Sequence, residues 1–351
     1  MREVAIVSFT QAKAKRRELD ANEVEILMPV VQEAVARSGI PKREIGFTVS
    51  GSCDYVAGQP FAFVSALDAV GAWPPISESH VEMDGAFALY EAWVKLQTGE
   101  VDSALVYSFG KSSMGDPAAV LNLQFDPYTV APLGIDAVSL AALQARLLLD
   151  SGRYTEKDMA EVVARSRRSA RSNPNAQLRG DVDPATLLAE PYYASPLRRH
   201  DCSPISDGAA AVVIAAGDLA RKVAKRPAWI RGIDHRIESH DFGLRDLTRS
   251  PSTALAAERA GARSGRFDLA ELHAPFSHQE LILCEALGLA DGVKINPSGG
   301  ALAANALMVA GLTRIGEAAQ RILDGEAKRT LAHATSGPCL QQNLVCVLEG
   351  S

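Results

Sequence analysis

Glu271-Leu-His-Ala-Pro-Phe-Ser-His-Gln-Glu-Leu-Ile-Leu-Cys-Glu-Ala-Leu-Gly-Leu289 is the stretch on which the fold turns. The short, partly apolar run Arg266-Phe-Asp-Leu-Ala-Glu-Leu272 before His273 reads as a strand. After it, Leu281, Cys284, Glu285 and Leu287 recur at helical spacing, and Gly288 stands where a helix would stop. A histidine on a short strand-to-helix turn is held rigidly at the end of a sheet, where α/β proteins keep their chemistry. The residues alone leave a second reading open, in which His273 caps the helix or bonds a loop.

Outward from this stretch the pattern is strand and helix in alternation. On the C-terminal side come a turn at Asn296–Gly300, a helix from Leu302 to Ile322 and a last strand at Leu344–Leu348. On the N-terminal side, Trp229–Asp234 is a strand and Ala254–Ala262 a helix. From the start of the chain the pattern is a strand at Val4–Phe9, a helix at Glu23–Ser38 and a strand at Gly46–Ser50. A short helix at Val64–Val70, a sharp turn at Ser79–Asp84, a long helix from Gly85 to Thr98 and a strand at Asp102–Phe109 follow. Between Asp116 and His200, helical stretches alternate with Pro- and Asn-rich connections, which reads as an inserted, mostly helical cap. Ala209–Ala216 then returns to the sheet. The alternation predicts a largely parallel sheet with helices on its faces. It divides the chain into an N-terminal half over 1–225, carrying the insert 116–200, and a C-terminal half over 226–351.

The opening stretch resembles the His-Asp-Cys-Phe segment of sterol-carrier-protein-type thiolases, which continues Ser-x-x-Glu-Leu and Glu-Ala-Leu-Gly-Leu. Asp201-Cys-Ser-Pro-Ile-Ser-Asp-Gly-Ala-Ala-Ala-Val-Val-Ile214 is similar to the same family's Cys-Pro-x-Ser-Asp-Gly-Ala-Ala-Ala segment. Asn296-Pro-Ser-Gly-Gly300 is similar to its Asn-Pro-x-Gly-Gly turn, and Leu340-Gln-Gln-Asn343 to its Leu-Gln-His-Asn. The resemblance implies a duplicated five-layer α-β-α-β-α thiolase fold, assembled as dimers or larger oligomers. By analogy, a surface strand such as Asp102–Phe109 would pair across a two-fold axis.

A thiolase nucleophile is a cysteine at the start of the first long helix, where the helix dipole and a histidine favour the thiolate. Aligning Gly85-Ala-Phe-Ala-Leu-Tyr90 on the family's Gly-Ser-Thr-Ala-Leu-Phe puts Glu82 in that place, and shifts of one or two residues give Met83 or Asp84. None is a thiol. His-Asp-Cys-Phe becomes His273-Ala-Pro-Phe276, so the motif's histidine remains and its cysteine is replaced by Pro275. The Gly-His-Pro histidine slot is filled, after a one-residue gap, by Asn305, which can donate a hydrogen bond but cannot shuttle a proton.

The resemblance therefore implies thioester chemistry without an acyl-cysteine. His273 and Asn305 would polarise the carbonyl, with the N–H groups of Ser298, Gly299 and Gly300 as a supplementary oxyanion hole and Phe276 beside the substrate. The candidate bases are His273, Glu82, Asp84 and His80; Asp84 reads first as a helix cap before Gly85, and Glu82 equally as a helix-start carboxylate. Cys339 lies near, but out of register with, a catalytic cysteine of other thiolases. His278 reads as structural, and Cys202 and Asp207 as packing and loop anchors. Three functions follow: a lyase cleaving a β-hydroxyacyl-CoA by retro-aldol chemistry, with a steroid or lipid side chain as one substrate class on the analogy of actinobacterial steroid aldolases; a conventional acyltransferase using Cys339 or another thiol; or a non-catalytic acyl-CoA-binding or scaffolding subunit. The aldolase analogy implies a partner with an OB-fold and zinc ribbon.

The totals fit an ordinary enzyme-sized chain. The 351 residues are 47% hydrophobic and 22% charged. A net charge of −6 argues against nucleic acid, and the basic runs Lys13–Arg17 and Arg165–Arg171 read as solvated helix faces. The five cysteines show no Cys-x-x-Cys spacing, so neither a metal site nor a disulfide framework is expected. No cofactor is expected beyond the coenzyme A of the substrate. No signal segment or membrane-length apolar run is apparent, which places the expected protein in the cytoplasm.

Overall fold

A computed structural model describes residues 1–350. In chain order the strands are β1 (Val4–Gln11), β2 (Phe47–Gly51), β3 (Glu78–Val81), β4 (Ser103–Gly110), β5 (Tyr192–Ala194), β6 (Leu197–Arg198), β7 (Gly208–Ala216), β8 (Ala228–Ile237), β9 (Leu269–Leu272), β10 (Lys294–Ile295), β11 (Arg329–Ser336) and β12 (Gln342–Glu349). β5 and β6 pair only with each other, inside the insert. The others lie in the order β10-β9-β11-β12-β8-β1-β7-β4-β2-β3.

That order is one pattern written twice. In β1-β2-β3-β4-β7, the second strand pairs parallel with the third and fourth, and the fifth runs antiparallel between the fourth and the first. In β8-β9-β10-β11-β12 the same pairings recur. The two copies meet edge to edge where Ala5 faces Trp229 and Ile6 faces Ala228.

Side-chain alternation shows why five layers form. Along β7, Ala210, Val212, Ile214 and Ala216 face one core, while Ala209, Ala211, Val213 and Ala215 face another. Along β12, Leu344, Cys346 and Leu348 face the first of these cores, while Val345 and Val347 face a third. The shared central core is filled by two helices, Gly85–Gln97 and Ala310–Leu323, which supply Ala88, Leu89 and Ala92, and Leu312, Ile315 and Ala319. Strands buried on both faces read as near-continuous apolar runs, as these do. Close approach in this middle layer needs Gly316, where an added Cβ would sit 2.1 Å from the Phe9 ring.

Three expectations fail here. The sheet is mixed rather than largely parallel, because β1, β7, β8 and β12 all pair antiparallel. Strand β4 is buried along its whole length between β2 and β7, so it cannot pair across a two-fold axis; the outer strand of that half is β3, which the sequence reading took for a turn. The helix expected from Leu302 begins only at Ala310. Residues 301–309 instead form a folded turn in which Met308 takes φ +67°, its carbonyl accepts the Gly85 N–H at 2.9 Å, and the Asn305 N–H goes to Ser206 Oγ at 3.0 Å. The insert between β4 and β7 holds the helices Pro117–Asn122, Ala137–Asp150, Glu156–Ser169 and Pro184–Leu188.

Candidate active site

β9 carries Glu271 in its interior and delivers His273 to the turn before the helix Ser277–Leu287, which ends at Gly288 with φ +60°. The His273 ring is fixed on both sides. Its Nε2 faces Asn305 Oδ1 at 3.2 Å, and its Nδ1 accepts the Thr335 N–H of β11 at 3.4 Å. The proton therefore resides on Nε2, which donates to Asn305. Burial, helped by the Arg314 charge, pushes the imidazole down to about 4, against a weaker opposing contribution from Asn305. At neutral pH His273 is a neutral N–H donor, and as such it can polarise a carbonyl but holds no ready lone pair toward Asn305 for general-base work.

Asn305 completes the pair. Its Nδ2 donates to Ser203 Oγ at 2.9 Å, and Ser206, which takes its backbone N–H, donates its own hydroxyl to Gln177 of the insert at 2.7 Å. The Ser203 N–H reaches the Pro275 carbonyl at 2.7 Å. The Asp201–Ala216 segment thus ties the insert to the His273 turn. Ser203, Thr335 and Gln177 had no signal of their own in sequence; only Ser203 lay inside a recognisable motif.

The Gly-Gly turn does not form an oxyanion hole. The Ser298 N–H goes to Glu271 Oε1 at 2.9 Å, the Gly299 N–H to the Asn296 carbonyl at 2.9 Å and the Gly300 N–H to Ser298 Oγ at 3.3 Å. Arg314 bonds Glu271 Oε2 at 2.8 Å, and Asn296 holds the Leu272 N–H at 2.6 Å and donates to Glu280 Oε2 at 2.6 Å. All three amides point inward, so the turn is scaffolding that positions β9 rather than a donor set for substrate.

Asp84 is also structural. It is 2% exposed, and its carboxylate accepts the N–H groups of Ala86, Gly311 and Leu312, each at 2.9 Å. It caps both central helices at once. Burial pushes its carboxyl above the ordinary aspartate range while the three N–H donors oppose that. With its lone pairs engaged, Asp84 is not a base. Its effect is to bring the two helix starts together, so the segments leading into them, with Glu82 on one and Asn305 on the other, converge.

Glu82 is the open carboxylate of this region, with its side chain 47% exposed. Its Oε1 accepts the Asp54 N–H at 2.6 Å and its Oε2 faces His80 Nε2 at 3.1 Å. Cys53 lies beside it, and burial together with the Glu82 charge pushes that thiol up. The remaining cysteines are no better placed. Burial pushes Cys202 and Cys339 up to about 12, Cys284 to about 11 and Cys346 further still. Cys339 takes φ +53°, turns its thiol toward the Leu140 carbonyl at 3.6 Å and packs with Phe125 and Leu140. Phe276 packs into the insert beside Leu197 and Cys202. His278 is a buried strut bonded to Gln144 at 3.1 Å, and Asp207 anchors Glu18 and Ser113. No helix among the described residues is long and apolar enough to cross a membrane.

No protein-family model matches the chain. It is 29% identical to the acetyl-CoA acetyltransferase of Methanothermobacter thermautotrophicus, over 96% of this chain and 95% of that protein. It is 23% identical to sterol carrier protein 2 of Gallus gallus, over 95% of this chain and 69% of that protein. Among solved structures, the Ltp2-ChsH2(DUF35) aldolase superposes with a TM-score of 0.83 at 19% identity, covering 99% of this chain and 97% of the other. Over nearly its whole length the chain is similar to thiolases, sterol-carrier-protein-type ones among them, and it has the thiolase fold, with the His273, Asn296–Gly300 and Asp201–Ala216 segments in the same order and no cysteine at the start of the first central helix.

Proposed function

We propose that the protein binds an acyl-CoA thioester and makes or breaks the carbon–carbon bond next to its carbonyl through an enolate, with no acyl-cysteine. The observation that carries this reading is Glu82, an exposed carboxylate just before the first central helix, on the segment that Asp84 and Gly85 tie to the end of the turn carrying Asn305. In the cleavage direction Glu82 takes the proton of a β-hydroxyl group. The oxygen's electron pair forms a carbonyl, the Cα–Cβ bond breaks, and its electrons pass into the thioester enolate. The Asn305 Nδ2–H not used on Ser203 stabilises the enolate oxygen, with the His273 Nε2–H holding Asn305 Oδ1 and so aiming the amide, and protonated Glu82 returns the proton to Cα. One preorganised donor of this kind is worth about 3 kcal/mol in the transition state.

A second reading has a specific observation behind it. Cys53 stands next to Glu82, and a thiol beside a base is the minimum for acyl transfer. Its raised pKa weighs against a resting thiolate and favours the lyase. A partner subunit belongs to the same proposal, on the analogy of the two-component aldolase that shares this fold.

The test is turnover of a β-hydroxyacyl-CoA with a branched or steroid side chain, with and without a candidate partner subunit. Thioester plus carbonyl product, reduced about 100-fold or more in Glu82→Gln and in His273→Ala, is the expected result. Thiolysis that survives Glu82→Gln and disappears in Cys53→Ser would replace the lyase with an acyltransferase.

A further inference from the structure

The Glu82 carboxylate does not stand alone. β2 and β3 pair parallel with Ser50 opposite His80, and Glu82 stands two residues after His80, in the bend just past the end of β3, where its carboxylate reaches the His80 ring. The result is a continuous chain: Ser50 Oγ to His80 Nδ1 at 3.0 Å, then His80 Nε2 to Glu82 Oε2 at 3.1 Å. The imidazole plane is fixed by Phe63, whose ring stacks on it at 4.5 Å and 12°. The other Glu82 oxygen is fixed by the Asp54 N–H. Behind Ser50 lie the buried Tyr107 hydroxyl and the half-buried Glu78 carboxylate, which faces His80 from the start of β3.

We infer that His80, oriented by Ser50, is the positioning residue of the Glu82 carboxylate. Serine, histidine and a carboxylate in line invite comparison with a hydrolase triad, in which the carboxylate is buried and the serine reacts. Accessibility here is the reverse. Ser50 is 0% exposed, so its hydroxyl cannot meet a substrate, while the Glu82 side chain is 47% exposed. The reactive end of the chain is the carboxylate, and the serine is its anchor. An ionised Glu82 requires the facing Nε2 to carry a proton, which leaves Nδ1 to accept from the Ser50 hydroxyl. Each atom then has one role, and the carboxylate is held by a donor on each oxygen with its remaining lone pairs directed outward. Holding a reacting group in this way is worth orders of magnitude, since a misplacement of about 1 Å costs about 100-fold.

The inference rests on the reading of Glu82 as the base, and the test separates the two. The contact itself is read without turnover, by proton–nitrogen NMR on the full-length protein labelled at histidine nitrogen. A slowly exchanging His80 Nε2–H resonance is expected in the wild type and is expected to disappear in Glu82→Ala; its absence from the wild type overturns the inference whatever the activity. The role is read by deuterium incorporation at the methyl carbon of acetyl-CoA in D2O, alongside the β-hydroxyacyl-CoA assay. His80→Ala should lower the turnover rate about 10- to 100-fold at unchanged KM, and His80→Gln, which keeps an N–H donor, should recover most of it. Equal rates in His80→Ala and wild type, or no recovery in a folded His80→Gln, overturns the positioning role. A wild type inert in both assays, yet showing the bonded N–H, overturns the reading of Glu82 as a base and the role built on it, leaving only the contact.

Discussion

Replacing Asp84 tests whether this carboxylate is a hinge of the fold rather than a reactive group. Its three N–H partners sit at the first turns of the two central helices, and its side chain is buried. Hydrogen bonds to a charged acceptor are worth about 1.5–3 kcal/mol each, and a buried N–H left without a partner costs about 1–3 kcal/mol. Because these contributions overlap, Asp84→Ala should lose about 3–6 kcal/mol, a large share of the roughly 5–15 kcal/mol that holds a domain together. Asp84→Asn separates the oxygens. Oδ1, which serves Ala86 and Leu312, can remain an acceptor, while an amide nitrogen at the Oδ2 position meets the Gly311 N–H donor to donor. A loss of about 2 kcal/mol is expected there. Urea unfolding followed by tryptophan fluorescence and circular dichroism reads both values. An Asp84→Ala midpoint shift worth less than about 1 kcal/mol, with thioester turnover abolished, would refute the structural assignment and restore Asp84 as a catalytic candidate.

Three further outcomes are expected. Burial holds His278 down to about 3 and His273 to about 4, so the folded protein stays neutral at these rings while the unfolded chain takes up protons near pH 6.5. The stability they contribute is present above that pH and is lost as pH falls toward about 4, at about 1.4 kcal/mol per pH unit for each ring. Asp84 and Glu271, pushed up by burial, act in the opposite direction, so the clean comparison is between wild type and His278→Gln, whose urea stability should fall less steeply between pH 6 and 5 by that amount. Iodoacetamide at neutral pH should leave lyase turnover intact, since all five thiols sit where burial disfavours the thiolate; inactivation matched by alkylation of Cys53 would argue for acyl transfer. Gly316→Ala should destabilise by about 1–3 kcal/mol through contact with the Phe9 ring, and an unchanged melting temperature would contradict the packing described between the central helix and β1.

The His273 turn was legible because every local signal agreed: apolar strand, short turn, helical spacing and a glycine stop. The pairing of Asn305 with His273 was legible only through the resemblance, as the two lie on different segments. What sequence could not reveal was where backbone amides go. Ser298-Gly-Gly300 has the look of a donor nest, yet Glu271 and Asn296 satisfy it from within, through contacts made only in the folded chain. The Ala-rich run after Gly300 has helix-forming composition, but tertiary bonds from Ser206 and Gly85 hold it as a turn as far as Ala310. β4 looked like a surface strand because nothing local shows that β7, returning after the long insert, covers its second edge. The Ser50–His80–Glu82 chain was hidden for the same reason, since parallel pairing of β2 with β3 joins residues thirty positions apart.

The central claim is thioester chemistry without a covalent acyl-enzyme, and the most direct test is intact-protein mass spectrometry. The wild-type protein is incubated with acetyl-CoA and with a β-hydroxyacyl-CoA, quenched in acid and weighed. The account predicts an unmodified mass under both conditions while the β-hydroxyacyl-CoA is cleaved. An acyl adduct mapping to Cys53 and absent from Cys53→Ser would contradict it.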